Sequence, residues 1–287
     1  MGKISDYSQV AALVAANVFL IDGPDGTKTI TAQNAATALS GLMQNDALFA
    51  MLDEIASPEM HRVIFRGKNL GTSITAAQKA QIQAGTFKGL WLGDYWEINN
   101  VIYRIVDIDY WYNQGDTAFA SHHLVVMPDH VMYNAKMNDS NVTTGGYVGS
   151  KMYTDYIADA KTTLTTAFGS SLLTHREYLV NAVTNGRASG GAWCDSKVDL
   201  PNEIMMYGHP HFVSGSDGST VPAIYTISKT QLALMAICPK FINPHRENQW
   251  LRDVVSGAFF ARVGNAGNTI YDNASASYGV RPAVAVG

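Results

Sequence analysis

Residues 250–287, WLRDVVSGAFFARVGNAGNTIYDNASASYGVRPAVAVG, are the part of the chain that decides the fold. The stretch begins with Trp250-Leu251-Arg252-Asp253 and ends with Tyr278-Gly279-Val280-Arg281-Pro282, which leads into an apolar strand. Between these ends the residues are mostly Ser, Asn, Gly, Ala and Tyr, with little charge and few large apolar side chains. Tyrosine offers rigid contact area, and small polar residues offer adaptable hydrogen bonding. This composition is typical of a recognition surface.

The stretch resembles the C-terminal segment of C-type-lectin-like domains in phage and prophage proteins. These include the variable proteins of diversity-generating retroelements, whose tropism determinants bind host surfaces. Residues 93–116, GDYWEINNVIYRIVDIDYWYNQGD, followed by HHLVVMP, are similar to a domain found beside such lectin-like ends in phage and Firmicutes proteins. Further matches are Gly146-Tyr147, Leu200-Pro201 and Met206-Tyr207-Gly208. The resemblance implies an α+β fold, with one C-type-lectin-like domain and a long insertion over residues 58–287.

The same resemblance implies binding and not catalysis, with recognition in the polar part of the C-terminal stretch. If residues 271–278 were one extended strand, alternate side chains would point outward. The open alternative is that residues 264–271 are only a turn between two strands. The candidate ligand-binding residues are Arg262, Asn265, Asn268, Tyr271, Asn273, Ser275, Ser277 and Tyr278.

Three further residues of the stretch are expected to be structural. In the family pattern Trp250 and Arg252 belong to a core strand, and Arg281 precedes the final strand. A buried guanidinium needs partners, so Arg252 or Arg281 is expected to bind backbone carbonyls or an acid.

The first 57 residues predict a separate small module. The turn signal Gly23-Pro24-Asp25-Gly26 separates strand candidates at 18–21 and 27–30, which predicts a hairpin. Helices are expected from Asp6 or Ser8 to Leu13, and after Thr31 over Ala35, Ala38, Leu39, Leu42 and Met43.

A module this small buries little surface alone, so it is expected to dock on a partner. The segment ISDYSQVAALVAANVFLIDGPDGTKTITAQNAATAL resembles the N-terminal module of phage virion fibre and head-fibre proteins, where it serves attachment or trimerisation. The resemblance implies contacts with other virion proteins of the capsid or tail, and a homotrimer.

A helix is expected over residues 46–56, with Leu48, Met51, Leu52 and Ile55 along one side and its end at Pro58. A short three-helix contact and a connector helix packed on its own domain both remain open. The larger domain is expected to contain strands at 61–66, 124–127, 259–263 and 280–286, a hairpin of 95–98 with 101–108, and helices at 75–84, 151–168 and from Ser228 or Thr230 to Leu234.

Composition excludes several classes of function. The formal net charge is −4 and charged residues make up 15% without a Lys/Arg cluster, so nucleic acid is not expected as a partner. No run of about 18 apolar residues exists, so no membrane insertion is expected. The stretch 10–21 lacks a strongly basic start, which argues against a signal peptide. Cys194 and Cys238 are expected as two buried free thiols, although a single bridge is possible.

The other groups that could carry chemistry favour structural roles. The pairs His122-His123 and His209-Pro210-His211 lack the further ligands of a metal site and are expected in turns and at the surface. Cys238 lies in an apolar run, which favours packing over catalysis. Neither a metal nor another cofactor is expected. Asp107, Asp109 and Asp116 are expected as solvated carboxylates at strand ends rather than calcium ligands, and residues 214–219 as a loop.

Together these patterns predict a phage or prophage virion protein, assembled in the bacterial cytoplasm, that displays a lectin-like surface to a host receptor or glycan. The alternative is a capsid decoration protein with only a structural role. An enzyme acting on cell-wall glycans is a third class, and it lacks an evident pair of catalytic carboxylates.

Overall fold

The computed structural model describes residues 18–21, 28–31, 46–212 and 230–287. The chain divides into two compact units, residues 1–55 and 56–287. Both helices and sheets are present, so the mixed α+β class predicted from the sequence is correct. Within the described ranges no helix is both long and apolar enough to cross a membrane.

The first unit contains the hairpin that the sequence predicts. Strand β1 (Val18–Ile21) pairs antiparallel with β2 (Lys28–Thr31), with Val18 opposite Thr31. Helix α1 (Asp46–Ile55) follows. The two helices predicted at 6–13 and after Thr31 lie outside the described residues.

The second unit begins with two short helices and continues with most of the strands. Its helices are α2 (Pro58–Val63), α3 (Ala76–Gln83), a π-helical turn (Met152–Tyr156), α4 (Ala158–Phe168), a 3-10 turn (Gly169–Ser171), α5 (Glu203–Tyr207), α6 (Ala233–Ile237) and a second 3-10 turn (Pro239–Ile242). Its strands are β3 (Tyr95–Ile98), β4 (Val101–Ile108), β5 (Leu124–Pro128), β6 (Tyr133–Lys136), β7 (His175–Thr184), β8 (Arg187–Ser196), β9 (Gln249–Val254), β10 (Phe259–Val263), β11 (Thr269–Asn273), β12 (Ser277–Val280) and β13 (Val284–Val286).

These strands form three sheets. One has five strands in the order β11-β10-β9-β12-β6, and another has four in the order β13-β5-β4-β3. Strands β7 and β8 form a long hairpin of their own. In the five-stranded sheet β12 pairs parallel with β9, and the other pairs are antiparallel.

Local sequence explains the best-predicted elements. Asn99 and Asn100 both have positive φ, at 51° and 63°, as a tight two-residue hairpin requires between β3 and β4. Thr75 and Gln78 form a capping box at the start of α3, because each side chain accepts a hydrogen bond from the other's backbone N–H. Strand β5 is buried along its whole length, as its apolar sequence predicts.

Two hydrophobic cores lie on opposite faces of these sheets. Along β5, Leu124 and Val126 belong to one core, while Val125 and Met127 belong to the other. We call them the Trp250 core, with Trp96, Tyr103, Tyr147, Phe168 and Phe260, and the Trp111 core, with Val125, Met127, Met206, Leu234 and Leu251.

Several predicted elements are wrong. The strand expected at 61–66 is replaced by α2, because Pro58 occupies the first helical turn and begins this helix instead of only ending the one before it. The helix expected over 151–168 is present, but its first part is the π-helical turn and the α-helix α4 begins only at Ala158. Helix α6 begins at Ala233, with Leu232 before it, and not directly after the predicted cap at Ser228 or Thr230. The last predicted strand is interrupted between Val280 and Val284. The β7–β8 hairpin was not predicted at all.

Candidate functional site

The C-terminal polar stretch forms a hairpin and a further strand of the five-stranded sheet. Strand β10 pairs with β11, and β12 lies on the other side of β9. Residues 271–278 do not form one extended strand, because β11 ends at Asn273 and Ala274 is fully buried in the turn before β12. The candidate residues therefore occupy several strands.

Strand register divides the main candidates between two faces of this sheet. Tyr271 lies opposite Ala261, whose side chain belongs to the Trp111 core. Arg262 lies opposite Trp250 on the neighbouring strand, on the side of the Trp250 core. Residues directly opposite one another share a face, and successive residues alternate. Tyr271 and Arg262 thus belong to different surfaces.

On one face four side chains form a polar group that we call the Arg262 cluster: Asn248, Arg262, Asp272 and Tyr278. The guanidinium of Arg262 lies 4.4 Å from the centroid of the Tyr278 ring and donates to Asn248 Oδ1 at 2.7 Å. Tyr278 donates its hydroxyl proton to Asp272 Oδ2 at 2.6 Å. Only 12% of the Arg262 side chain is exposed, so most of its surface is engaged inside the protein.

The charges of this cluster stabilise one another. Burial acts to raise the pKa of Asp272, but the hydrogen bond from Tyr278 and the charge of Arg262 outweigh it and lower that pKa. The hydrogen bond to Asp272 raises the pKa of the Tyr278 hydroxyl. The Asp272 carboxylate is ionised and Tyr278 is neutral at pH 7. The side chains of the Arg262 cluster therefore bind mainly to one another.

The opposite face carries a group of three aromatic side chains that we call the Tyr271 platform: Phe212, Phe259 and Tyr271. The Tyr271 ring lies 5.1 Å from Phe212 at 78° and 5.3 Å from Phe259 at 42°. Tyr271 remains 41% exposed although both neighbours contact it. Its strand, β11, is at the edge of the sheet. The platform presents a rigid aromatic surface to solvent.

The remaining candidates surround these two groups. Asn265 is exposed, and its backbone N–H donates to Asn248 Oδ1 at 3.0 Å, next to Arg262. Asn273 lies opposite Phe259 and shares the face of Tyr271. Asn268 and Ser277 are exposed. Ser275 donates its hydroxyl proton to Asn141 Oδ1 at 2.7 Å. The structure does not gather the eight candidates into a single site.

Trp250, Arg252 and Arg281 lie inside the protein. Trp250 is fully buried and donates from Nε1 to the carbonyl of Ala135 at 2.9 Å. Arg252 donates to Glu177 Oε1 at 2.6 Å. Arg281 is also buried and donates to the carbonyl oxygens of Pro128, Phe241 and Ile242. These contacts hold β9 and the residues between β12 and β13 in place.

The carboxylates and histidines near β4 differ from expectation. Asp107 is fully buried and paired with Arg62, so it is not a solvated carboxylate at a strand end. Asp109 is half-buried and accepts from His122 Nδ1 at 2.7 Å. His123 is fully buried against Trp111, and burial lowers its pKa to about 3, so this histidine is neutral and not at the surface. Asp116 is exposed, as predicted, and pairs with Arg176.

The two cysteines and the pair His209 and His211 are the remaining groups that could carry chemistry. Cys194 and Cys238 are free and half-buried, so no bridge joins them. His209 and His211 are exposed, as predicted. Among the described residues no group of three or more His, Cys, Asp or Glu side chains could hold a metal ion. The predicted loop at 214–219 lies outside the described residues.

Sequence analysis missed the partners that organise both surfaces. Asn248 and Asp272 complete the Arg262 cluster, while Phe212 and Phe259 complete the Tyr271 platform. Asp272 and Phe259 are within the C-terminal stretch 250–287, but only the β10–β11 register reveals their faces. Phe212 is 59 positions before Tyr271, and no local pattern connects them.

No family model, no curated protein and no solved structure matches this chain.

Proposed function

We propose that this protein is a phage or prophage virion protein whose second unit is a C-type-lectin-like domain that binds a host-surface glycan. The motifs of the C-terminal stretch and of residues 93–128 support the lectin-like assignment, and the α+β architecture is compatible with it. The N-terminal unit attaches the protein to other capsid or tail proteins. Fold alone does not give function, so the argument for binding depends on the surface.

The Tyr271 platform is the observation that carries the glycan-binding proposal. Sugars present C–H faces that pack on exposed aromatic rings and hydroxyls that bond to neighbouring polar groups. Tyr271 is held by Phe212 and Phe259, so little conformational entropy is lost when a ligand contacts it. Asn273 lies on the same face and supplies an amide. The Arg262 cluster lies on the other face of the sheet, and its groups bond mainly to one another.

Replacing Tyr271 by alanine tests this proposal. We expect the affinity for host cells or for an arrayed glycan to fall about 30-fold, because loss of an aromatic anchor costs about 2 kcal/mol in binding. The melting temperature should change little, since Tyr271 is 41% exposed at a sheet edge. Glycan-array and cell-adsorption assays measure the first effect, and thermal unfolding measures the second.

The matched control is Tyr278→Phe, on the opposite face. It removes the hydroxyl that donates to Asp272 and keeps the ring that packs on Trp250, whereas alanine at this position would disturb the core. We expect Tyr278→Phe to bind like the parent. If Tyr271→Ala binds normally and Tyr278→Phe does not, the recognition surface is the Arg262 cluster. If both bind as well as the parent, the glycan-binding proposal is wrong.

A purely structural role as a capsid decoration protein is the second candidate, and helix α1 favours it. Leu48, Met51 and Ile55 are 49%, 71% and 76% exposed and lie on one side of this helix. Such an apolar row is typical of a helix that packs against another subunit. The same row supports the proposed homotrimer.

We expect the purified protein to sediment as a trimer, and the double variant Met51→Glu/Ile55→Glu to sediment as a monomer. The new carboxylates would place like charges against each other where three α1 helices meet. Ala50→Glu is the control, because residue 50 is exposed on the other side of α1. A monomeric parent at high concentration and on the assembled particle would contradict the trimer.

A further inference from the structure

The three rings of the Tyr271 platform come from two segments that are far apart in the sequence. Phe212 lies in the loop after α5, while Phe259 and Tyr271 lie on the paired strands β10 and β11. Glu203, the first residue of α5, bonds to both segments although only 1% of it is exposed. A buried ionisable side chain costs folding free energy unless hydrogen bonds compensate.

The carboxylate of Glu203 holds the loop that carries Phe212. Its Oε2 accepts hydrogen bonds from the backbone N–H groups of His211, at 2.8 Å, and of Phe212, at 3.2 Å. Gly208 follows α5 with a φ of 82°, a left-handed conformation that ends the helix. The chain then returns to the start of α5, and the two backbone bonds fix the position of Phe212.

The other carboxylate oxygen holds the strand that carries Tyr271. Glu203 Oε1 accepts a hydrogen bond from the hydroxyl of Thr269 on β11. Thr269 and Tyr271 are two positions apart on this strand, so their side chains share a face of the sheet. One carboxylate thus joins the strand of Tyr271 to the loop of Phe212, and the centroids of these two rings are 5.1 Å apart.

Glu203 is itself held in place by neighbouring elements. Its backbone N–H donates to Asp253 Oδ2 on β9 at 2.7 Å. At the other end of α5, Tyr207 donates its hydroxyl proton to the carbonyl of Gly267, in the turn between β10 and β11, at 3.1 Å. Because both ends of α5 are attached to the five-stranded sheet, the carboxylate reaches its partners from a fixed position.

The hydrogen-bonding capacity of a carboxylate suits this position, because its two oxygens can accept from all three donors, the N–H groups of His211 and Phe212 and the hydroxyl of Thr269. We propose that Glu203 is the positioning residue of the Tyr271 platform and keeps the rings of Phe212 and Tyr271 in the arrangement that binds a glycan. This inference rests on the proposed function, since it concerns the same surface.

Replacing Glu203 by methionine tests the proposal, because the change keeps the length of the side chain and removes both acceptor oxygens. We expect the affinity for the arrayed glycan that the parent binds most tightly to fall about tenfold, since the two rings would then have to be ordered on binding. Glu203→Gln should recover most of this affinity. Its amide oxygen can accept from the two backbone N–H groups, and its amide nitrogen can donate to the Thr269 hydroxyl.

Glu247→Met is the matched control. Glu247 also accepts from a backbone N–H, that of Val131 at 2.9 Å, and it is not part of the platform. We expect this variant to bind like the parent.

Two changes at Thr269 keep the test decisive if Glu203→Met does not fold. Thr269→Val removes the hydroxyl that bonds to Glu203 and should weaken binding about threefold. Thr269→Ser keeps that hydroxyl and should bind like the parent. Equal affinities for the two variants would contradict the proposal.

A double variant shows whether Glu203 acts through the platform. Once Tyr271 is replaced by alanine, the further change Glu203→Met should weaken binding by less than about twofold, because the ring that Glu203 positions is already absent. A role of Glu203 elsewhere in the protein would weaken binding by the same factor with or without Tyr271.

Two measurements on the free protein separate this inference from the proposed function. In Glu203→Met we expect the amide hydrogens of His211 and Phe212 to exchange at least about tenfold faster than in the parent. We also expect the nuclear Overhauser effect between the rings of Phe212 and Tyr271 to weaken. Glu247→Met should change neither. These results do not depend on a ligand, so normal binding by Tyr271→Ala would contradict the glycan-binding proposal alone.

The positioning role is overturned if Glu203→Met leaves both the amide exchange and the contact between the rings unchanged. It is also overturned if Glu203→Met binds like the parent while Tyr271→Ala does not, if Glu203→Gln binds as weakly as Glu203→Met, or if Glu247→Met loses as much affinity. In each of these cases the glycan-binding proposal for the Tyr271 platform would still stand.

Discussion

Trp250→Ala is expected to lower the free energy of unfolding by about 3–5 kcal/mol, the usual cost of truncating a buried aromatic side chain. Trp250 is fully buried, packs edge-on against Tyr278 at 5.0 Å and donates to the Ala135 carbonyl on β6. The substitution leaves a cavity in the core and removes the partner of that carbonyl. Because net stability of a domain is typically about 5–15 kcal/mol, much of the second unit's stability would be lost.

Urea unfolding followed by fluorescence and circular dichroism measures this effect. Trp193→Ala is the matched control, because Trp193 lies half-buried on β8 and packs on Tyr178 at 5.4 Å. We expect this control to cost clearly less. If the two variants unfold at the same urea concentration, Trp250 does not have the central structural role assigned to it.

The parts of the fold that could be predicted are those encoded by neighbouring residues. Apolar residues on both sides of the turn Asn99-Asn100 specify the β3–β4 hairpin, and Thr75 with Gln78 specifies the start of α3. The β7–β8 hairpin lacks such a signal, because Gly190 and Gly191 in β8 interrupt the pattern typical of a strand.

The candidate site shows the same limit. Sequence composition indicates a polar, tyrosine-containing surface, but strand register decides that Tyr271 and Arg262 point to opposite faces. Asp107 is an ionisable residue that is buried in the structure. Its carboxylate accepts hydrogen bonds from Arg62, 45 residues before it, and from the backbone N–H of Ala233, 126 residues after it. Contacts over such separations cannot be deduced from local patterns.

The buried pair of Arg252 and Glu177 gives the second large prediction. Arg252 Nη2 lies 2.6 Å from Glu177 Oε1, and both side chains are at most 4% exposed. His175 contacts the other carboxylate oxygen at 3.1 Å. Burial acts to raise the pKa of Glu177, but the charge of Arg252 and the contact with His175 outweigh it and lower that pKa to about 2. The carboxylate is therefore ionised inside the protein over the physiological range.

Arg252→Met should cost about 3–5 kcal/mol in unfolding free energy, because it leaves a buried carboxylate without its guanidinium partner. Adding Glu177→Gln should recover part of this loss, since the buried charge is then removed as well. The double variant would be more stable than the sum of the two single changes predicts. A double variant whose loss equals that sum would show that the pair does not interact.

Lowering the pH should distinguish this loss of unfolding free energy in Arg252→Met from a simple packing defect. In the parent, the folded pKa of Glu177 is about 2, below its ordinary value of 4.5, so its contribution is complete above pH 4.5 and is lost as pH falls toward 2. In Arg252→Met, burial would instead raise the pKa of Glu177, and protonation would relieve the buried charge. We therefore expect the stability difference between parent and variant to shrink as the pH is lowered from 7 toward about 3, measured by urea unfolding at each pH. A packing defect would leave that difference constant, because the volume lost on replacing arginine by methionine does not depend on pH.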